Sequence, residues 1–152
     1  MGRYTGPVCR RCRQVGVKLF LKGDRCLTPK CAVDKRRTPP GQNVSFRRRP
    51  TEAGLRLREK QKARYTYGLM EKQFAKLFEK AKKQSGVTGQ RFVEMLELRL
   101  DNVVYRLNFS DSRNQSRAMV RSGHILVNEK RLDIPSAMIK PGDVISWHKT
   151  AL

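Results

Sequence analysis

The chain has 152 residues, 38% of them hydrophobic, and its 34 Lys and Arg stand against 13 Asp and Glu for a net charge of +21. That length holds one domain or two small ones, with enough apolar content for modest cores and too little for the interior of a large enzyme. The charge calls for an anionic polymer as partner. A membrane is disfavoured, because no run reaches the ~18 apolar residues of a spanning segment, no helix pairs a basic face with exposed Trp or Phe, and no signal-peptide core opens the chain.

All four cysteines fall in the first 31 residues, Cys9 and Cys12 as C-x2-C and Cys26 with Cys31 as C-x4-C, separated by 13 residues. Two short chelating loops joined by such a spacer place four thiolates tetrahedrally around one ion. Four sulfur ligands leave no open coordination position, so zinc here would be structural, and an iron–sulfur cluster suits the same ligands. Two disulfides are the competitor, disfavoured in a reducing cytosol, and a redox dithiol would need only one pair. Arg10, Arg11 and Arg13 interleave with the first pair, and their field favours thiolate. With Arg3 they are also candidate phosphate contacts.

Residues 32 to 50 show no apolar period and are punctuated by Pro39, Pro40, Gly41 and Pro50. They are expected to form an extended basic arm, with Lys35, Arg36 and Arg37 and then Arg47, Arg48 and Arg49 lying along phosphates, disordered until bound. The first 50 residues carry 14 basic against 2 acidic residues, so charge is greatest where apolar content is poorest.

Three helical patterns follow. Thr51 with Glu52 caps the first, which runs to about Arg64 and spaces Arg56, Lys60 and Arg64 four apart. The second, over about 70 to 83, sets Phe74, Leu77, Phe78 and Ala81 against Lys72, Lys76 and Lys80. The third begins at Thr88, where Val87 is placed to staple onto Phe92, and either continues into Leu100 or breaks near Arg99. Aromatics in these segments fall on apolar faces and are expected in cores, with Tyr65 and Tyr67 open to either core packing or base stacking.

The stretch from 99 to 128 organises the rest. Leu96, Leu100, Val103 and Leu107, with Val104, make an apolar helical face, and residues 108 to 111 interrupt it. Ser112 stands three before Gln115, a capping-box pattern, and Gly123 is the expected stop. Between these signals Arg113, Arg117 and Arg121 recur every four residues, predicting three guanidinium groups on one phosphate-facing side, beside Asn114. A solvated basic face is the alternative. Period-two alternation then predicts strands at 124 to 127, 130 to 134 and, after Pro141-Gly142, 143 to 147. His124 is placed either for phosphate or for a hydrogen bond in the sheet, and Lys130 and Arg131 add charge on the return strand.

RLDNVVYRL, SRNQSRAMVRSGHI, VN and DIPS with KPGD, in that order, closely resemble the small RNA-binding module named after small-subunit ribosomal protein S-four. GRYTGPVCRRCR, GVKLFLKG, LREKQKARYTYG and GVTG before Arg91 resemble the same ribosomal family in its bacterial and organellar form, so the likeness covers essentially the whole chain. Together with the cysteine spacing and the apolar periods it gives an expected α+β architecture: a four-cysteine metal knuckle and basic arm over 1 to 50, a helical region over 51 to 91, and a helix-helix plus antiparallel-sheet RNA-binding module over 92 to 152. It further implies a structural constituent of the small ribosomal subunit that binds its ribosomal RNA directly and early in assembly, beside neighbouring ribosomal proteins. A place near the messenger entry channel and an influence on decoding accuracy follow from the likeness alone. So does a location in cytoplasmic ribosomes, or in a stroma or matrix if organelle-encoded.

A free-standing translational repressor is the alternative, distinguished by binding to one messenger leader and not to ribosomal RNA. An RNA-modifying enzyme is excluded by size, and neither a Ser, His and Asp arrangement nor a G-x-x-x-x-G-K-[ST] loop is present. Two departures stand out. Asn128-Glu129 replaces the family's Asn-Gly, which favours a longer hairpin loop. The family's proteins also run on in a tail that packs back on the helical part, whereas this sequence stops at Leu152; either the protein is naturally short or the sequence is truncated, and the expectation is that the face of Phe74, Leu77 and Phe78 lacks that partner.

Overall fold

The computed structural model describes residues 4 to 36, 38 to 41 and 51 to 148, and the chain divides into two units, Met1–Glu71 and Lys72–Leu152. The division coincides with neither sequence boundary, 50 or 91.

In the first unit α1 (Cys9–Val15) ends at Gly16, whose φ of +73° is the left-handed conformation that side chains resist. A 3-10 turn, Gly23–Cys26, and a one-turn α2, Ala32–Lys35, follow. The long α3 (Glu52–Thr66) begins where the Thr51 hydroxyl accepts the Gly54 N–H at 3.2 Å, with Glu52 in the electropositive first turn. Leu55 and Leu57 are exposed, so α3 owes little to a continuous apolar face and docks through Tyr65. That ring packs with Cys12, Val15 and Leu19, flanked by Leu21 and Val33.

The start of the basic arm is held by the protein. Residues 32 to 35 are helical, Asp34 pairs with Lys18 at 2.6 Å, and the Arg13 guanidinium donates to the Thr38 and Pro39 carbonyls at 2.9 and 3.1 Å. Sequence periodicity misses this because the anchor is a side chain capturing backbone carbonyls, which needs no apolar pattern. Arg37 and residues 42 to 50 lie outside the described residues.

In the second unit the Phe74 and Phe78 rings of α4 (Glu71–Lys82) meet Phe92 of α5 (Thr88–Glu97) edge to face, at 4.9 and 5.3 Å between centroids. Val87 is 63% exposed and forms no staple. The following helix breaks at Arg99, whose ψ of 137° is extended, and α6 (Leu100–Arg106) starts afresh. The cause lies far along the chain. The Leu100 and Asp101 N–H groups donate to the Ala137 and Pro135 carbonyls at 2.9 and 3.1 Å, and the Ile139 N–H to the Leu98 carbonyl at 2.8 Å, so the loop before the last strand satisfies the broken helix ends.

The helix α7 (Arg113–Arg121) is capped as its spacing implies: Ser112 Oγ accepts the Gln115 N–H at 3.4 Å. The reciprocal arm of the capping box shifts by one residue, Gln115 Oε1 accepting from the Asp111 N–H at 3.3 Å. The helix closes in a Schellman motif, with Gly123 at φ +74° and the His124 N–H donating to the Met119 carbonyl at 3.1 Å. The pair α6 and α7 packs on a three-stranded antiparallel sheet ordered β2-β1-β3: β1 Ile125–Val127, β2 Lys130–Arg131, β3 Ile145–Trp147. Leu100, Val104, Val120, Ile125 and Ile139 form the buried core, with the Phe109 and Trp147 rings stacked at 5.0 Å beside it.

The hairpin is tighter than the sequence suggests. Val127 pairs with Lys130, leaving a two-residue turn in which Asn128 and Glu129 both take positive φ, 50° and 65°. The turn is anchored from outside: Asn128 Nδ2 donates to Asp143 Oδ1 and its Oδ1 accepts the Val144 N–H, both at 2.9 Å. Those contacts fix Asn128, and Glu129 beside it takes a conformation its Cβ disfavours. Glu129→Gly should therefore stabilise the protein by about 0.5 to 1 kcal/mol, read as a raised denaturant midpoint. An unchanged or lowered midpoint would show that the turn is unstrained.

Candidate nucleic-acid interface

The three arginines of α7 part company. Four helical residues advance about 40° beyond a full turn, so a series of three sweeps round the cylinder and its middle member faces α6. Arg117 is 9% exposed and donates through Nη1 to Asp101 Oδ2 at 3.2 Å. Arg99, 3% exposed, grips the same carboxylate with two bonds, Nε to Oδ1 at 3.1 Å and Nη2 to Oδ2 at 2.7 Å. Two buried guanidinium groups thus converge on one buried carboxylate. Arg113 is half-buried, its Nε donating to Asn102 Oδ1 at 2.8 Å while the guanidinium lies 4.4 Å from the centre of the Tyr105 ring. Asn102 in turn donates to the Glu97 carbonyl and carboxylate, at 3.0 and 2.7 Å. The expected ladder is in this respect corrected: Arg117 joins α6 to α7, Arg113 is oriented at the edge, and Arg121 stands exposed.

Asn114, Lys130 and Arg131 are exposed like Arg121, and His124 is half-buried. The Arg131 guanidinium crosses Gly123 and donates to the Ser122 carbonyl at 3.2 Å, which places a cation at the negative end of α7. Asp101, Asn102 and Tyr105 position this surface; they stand inside the RLDNVVYRL motif, but spacing gives them no role, because their partners lie 2 to 16 residues away, outside α6.

In the first unit, acids answer part of the second basic series. Arg56 pairs with Glu52, and Lys60 and Arg64 share Glu71, the latter at 2.9 Å. The hydrogen bond from Lys60, more than any other contact, holds the Glu71 carboxyl below its ordinary range. The Arg11 guanidinium lies over the Tyr4 ring at 3.8 Å and the Tyr65 ring at 4.7 Å, and burial pulls its pKa below the usual guanidinium value. Arg10, Lys35 and Arg36 are exposed, whereas Arg13 is committed to the Thr38 and Pro39 carbonyls. Arg3, Arg37, Arg47, Arg48 and Arg49 lie outside the described residues.

The cysteines are free thiols, Cys12, Cys26 and Cys31 buried and Cys9 half-buried. Burial chiefly, and to a lesser degree the other three cysteines, pushes the Cys12 thiol up. Four thiols in one small unit suit a closed metal site in donor type, but among the described residues no group of three or more His, Cys, Asp or Glu is arranged to hold an ion. Among those residues, too, no helix is long and apolar enough to cross a membrane.

Two family models tile the chain. The ribosomal protein S4/S9 N-terminal domain matches residues 3–97, and the S4 domain matches residues 98–145, the part that holds α6, α7 and the sheet. The small ribosomal subunit protein uS4 of Pelotomaculum thermopropionicum is 58% identical over 146 residues, 96% of this chain and 70% of its own length. Its counterpart in Thermus thermophilus is 59% identical over 147 residues, with the same coverage. A protein named uS4A from Symbiobacterium thermophilum is 53% identical over 151 residues, 99% of this chain and 73% of that one. Fold and matched models define a basic α+β protein with a helical ribosomal-type region ahead of an S4 domain. The chain belongs to the small ribosomal subunit protein uS4 family, whose relatives carry the name of a ribosomal constituent and not of an enzyme.

Proposed function

We propose that the chain is a structural constituent of the small ribosomal subunit that binds small-subunit ribosomal RNA directly. The observation that carries this is the 58% identity to a small-subunit protein over 96% of the chain. The physical mechanism is electrostatic and shape-based. Side chains cannot read the deep major groove of A-form RNA, so a rigid surface that presents fixed cations to phosphates is what a basic domain can offer. The lock between α6 and α7 supplies the rigidity, and Arg121, Lys130 and Arg131 supply the cations.

Early binding at a helical junction, contact with neighbouring small-subunit proteins, a position beside the messenger entry channel, an effect on decoding accuracy and a cytoplasmic ribosome as the place of work belong to the same proposal. We include in it one zinc ion, or an iron–sulfur cluster, held by Cys9, Cys12, Cys26 and Cys31. The support is the donor chemistry, four free thiols in one unit with three of them buried. A metal there would cross-link the chain and take no part in a reaction.

Arg121→Ala tests the interface. It touches no core, so folding should be unchanged, while affinity for every RNA substrate should fall and the salt dependence of binding should drop by about 0.7 to 0.9 log units per log unit of salt. An unchanged salt slope would remove Arg121 from the interface. Arg117→Ala should differ in kind, lowering the melting temperature before any RNA is added.

A further inference from the structure

The N-terminal unit contains a cavity of about 590 Å³ whose lining includes Tyr4, Arg10, Arg11, Gln14, Arg64 and Tyr65. Three guanidinium groups share this concavity, and no carboxylate is among its described lining residues. Each is presented differently. Arg10 is exposed. Arg11 is fixed by the Tyr4 and Tyr65 rings, 3.8 and 4.7 Å from its centre, and forms no ion pair among the described residues. A cation held by ring faces is oriented while its in-plane N–H donors remain available, unlike one held by a carboxylate. Arg64 lies 4.9 Å from the Tyr65 ring and commits Nη1 to Glu71. Tyr65 is itself fixed, its hydroxyl donating to Gln14 Oε1 at 3.3 Å.

Two aromatic rings against one arginine, with two further guanidinium groups beside it and no carboxylate among the described lining residues, make a concavity prepared for negative charge. An anion inside the cavity would answer that concentration of positive charge. We propose that this cavity holds one backbone phosphate of an unpaired RNA nucleotide, its sugar and base occupying the remaining volume. The assignment rests on the RNA-binding role proposed above and deepens it. A phosphodiester offers oxygen acceptors to several guanidinium forks at once. The volume falls within the ~300 to 1,000 Å³ of sites that enclose a ligand of nucleotide size. In a paired helix the base would be stacked away, so the nucleotide must come from a loop, bulge or junction.

The test is phosphate-ethylation interference on a transcript of small-subunit ribosomal RNA, using the full chain and its Arg11→Gln variant. Ethylation neutralises one phosphate at a time. With the wild-type chain, one or two phosphates beside unpaired bases should block binding when ethylated; with Arg11→Gln, affinity should be lower by about tenfold and interference at those phosphates should vanish while other positions keep theirs. A merely structural Arg11 would weaken binding and leave the interference pattern intact, and that outcome would overturn the proposal. Arg10→Gln, which alters an exposed residue and no packing, guards against misfolding: it should weaken the same interference signal, and an unaltered signal would likewise count against the cavity. Wild-type chain that binds no ribosomal RNA would overturn the RNA-binding role itself. Wild-type binding with no phosphate sensitive to Arg11 would overturn the cavity alone, as would an acidic peptide that fills the cavity while the RNA stays bound.

Discussion

Asp101→Ala should destabilise the protein by about 3 to 5 kcal/mol, the range for removing one partner of a buried ion pair. Asp101 is 5% exposed and receives three hydrogen bonds, two from Arg99 and one from Arg117. Its loss removes the carboxylate on which two buried cations converge. Because a unit of this size shifts by about 4 to 8 °C per kcal/mol, the melting temperature should fall by well over 10 °C. Arg117→Met, which removes one cation and keeps the volume, should cost much less than Asp101→Ala, since Arg99 retains its bidentate partner. Equal losses in the two variants would mean that charge does not govern this cluster. RNA affinity in Asp101→Ala should fall at temperatures where the unit is still folded, because α7 is no longer tied to α6.

Cys26→Ser should abolish metal binding and loosen the N-terminal unit. If four thiolates hold one ion, freshly prepared reduced protein carries one zinc per chain, or an iron–sulfur cluster with visible absorbance, and the variant carries none. Metal release should raise the proteolytic sensitivity of residues 1 to 41 and leave 92 to 147 protected, because apparent binding free energies of about 10 to 16 kcal/mol at structural zinc sites are largely folding free energy. Substoichiometric metal in the fresh wild-type protein would remove the metal from the account. The Cys12, Cys26 and Cys31 thiols would then be small buried hydrophobes in a unit organised around Val15, Leu19 and Tyr65.

What is legible in the sequence is mostly local. Ser112, Thr51 and Gly123 act within three or four residues of themselves, and each sits where its pattern implies. The α6 and α7 pair and the antiparallel sheet are legible from period and alternation. The break at Arg99 is undecided by sequence because its cause, the carbonyls of Pro135 and Ala137, lies more than 30 residues along. The Asn128-Glu129 turn departs from the expected longer loop: Asn128, which tolerates positive φ, is tied to Asp143 and Val144, and Glu129 follows it into the same region. The arginine series shows the same limit. Spacing of four says that Arg113, Arg117 and Arg121 are neighbours, but whether one of them points at solvent or at a buried carboxylate depends on Asp101, which no helical period connects to them.

Sedimentation of the tagged full chain with small ribosomal subunits through a high-salt gradient tests the central claim most directly. A constituent that binds ribosomal RNA through several fixed cations and apolar-supported packing should remain at one copy per subunit after salt has stripped loosely held proteins. Recovery at the top of the gradient, or only with messenger fractions, would contradict it.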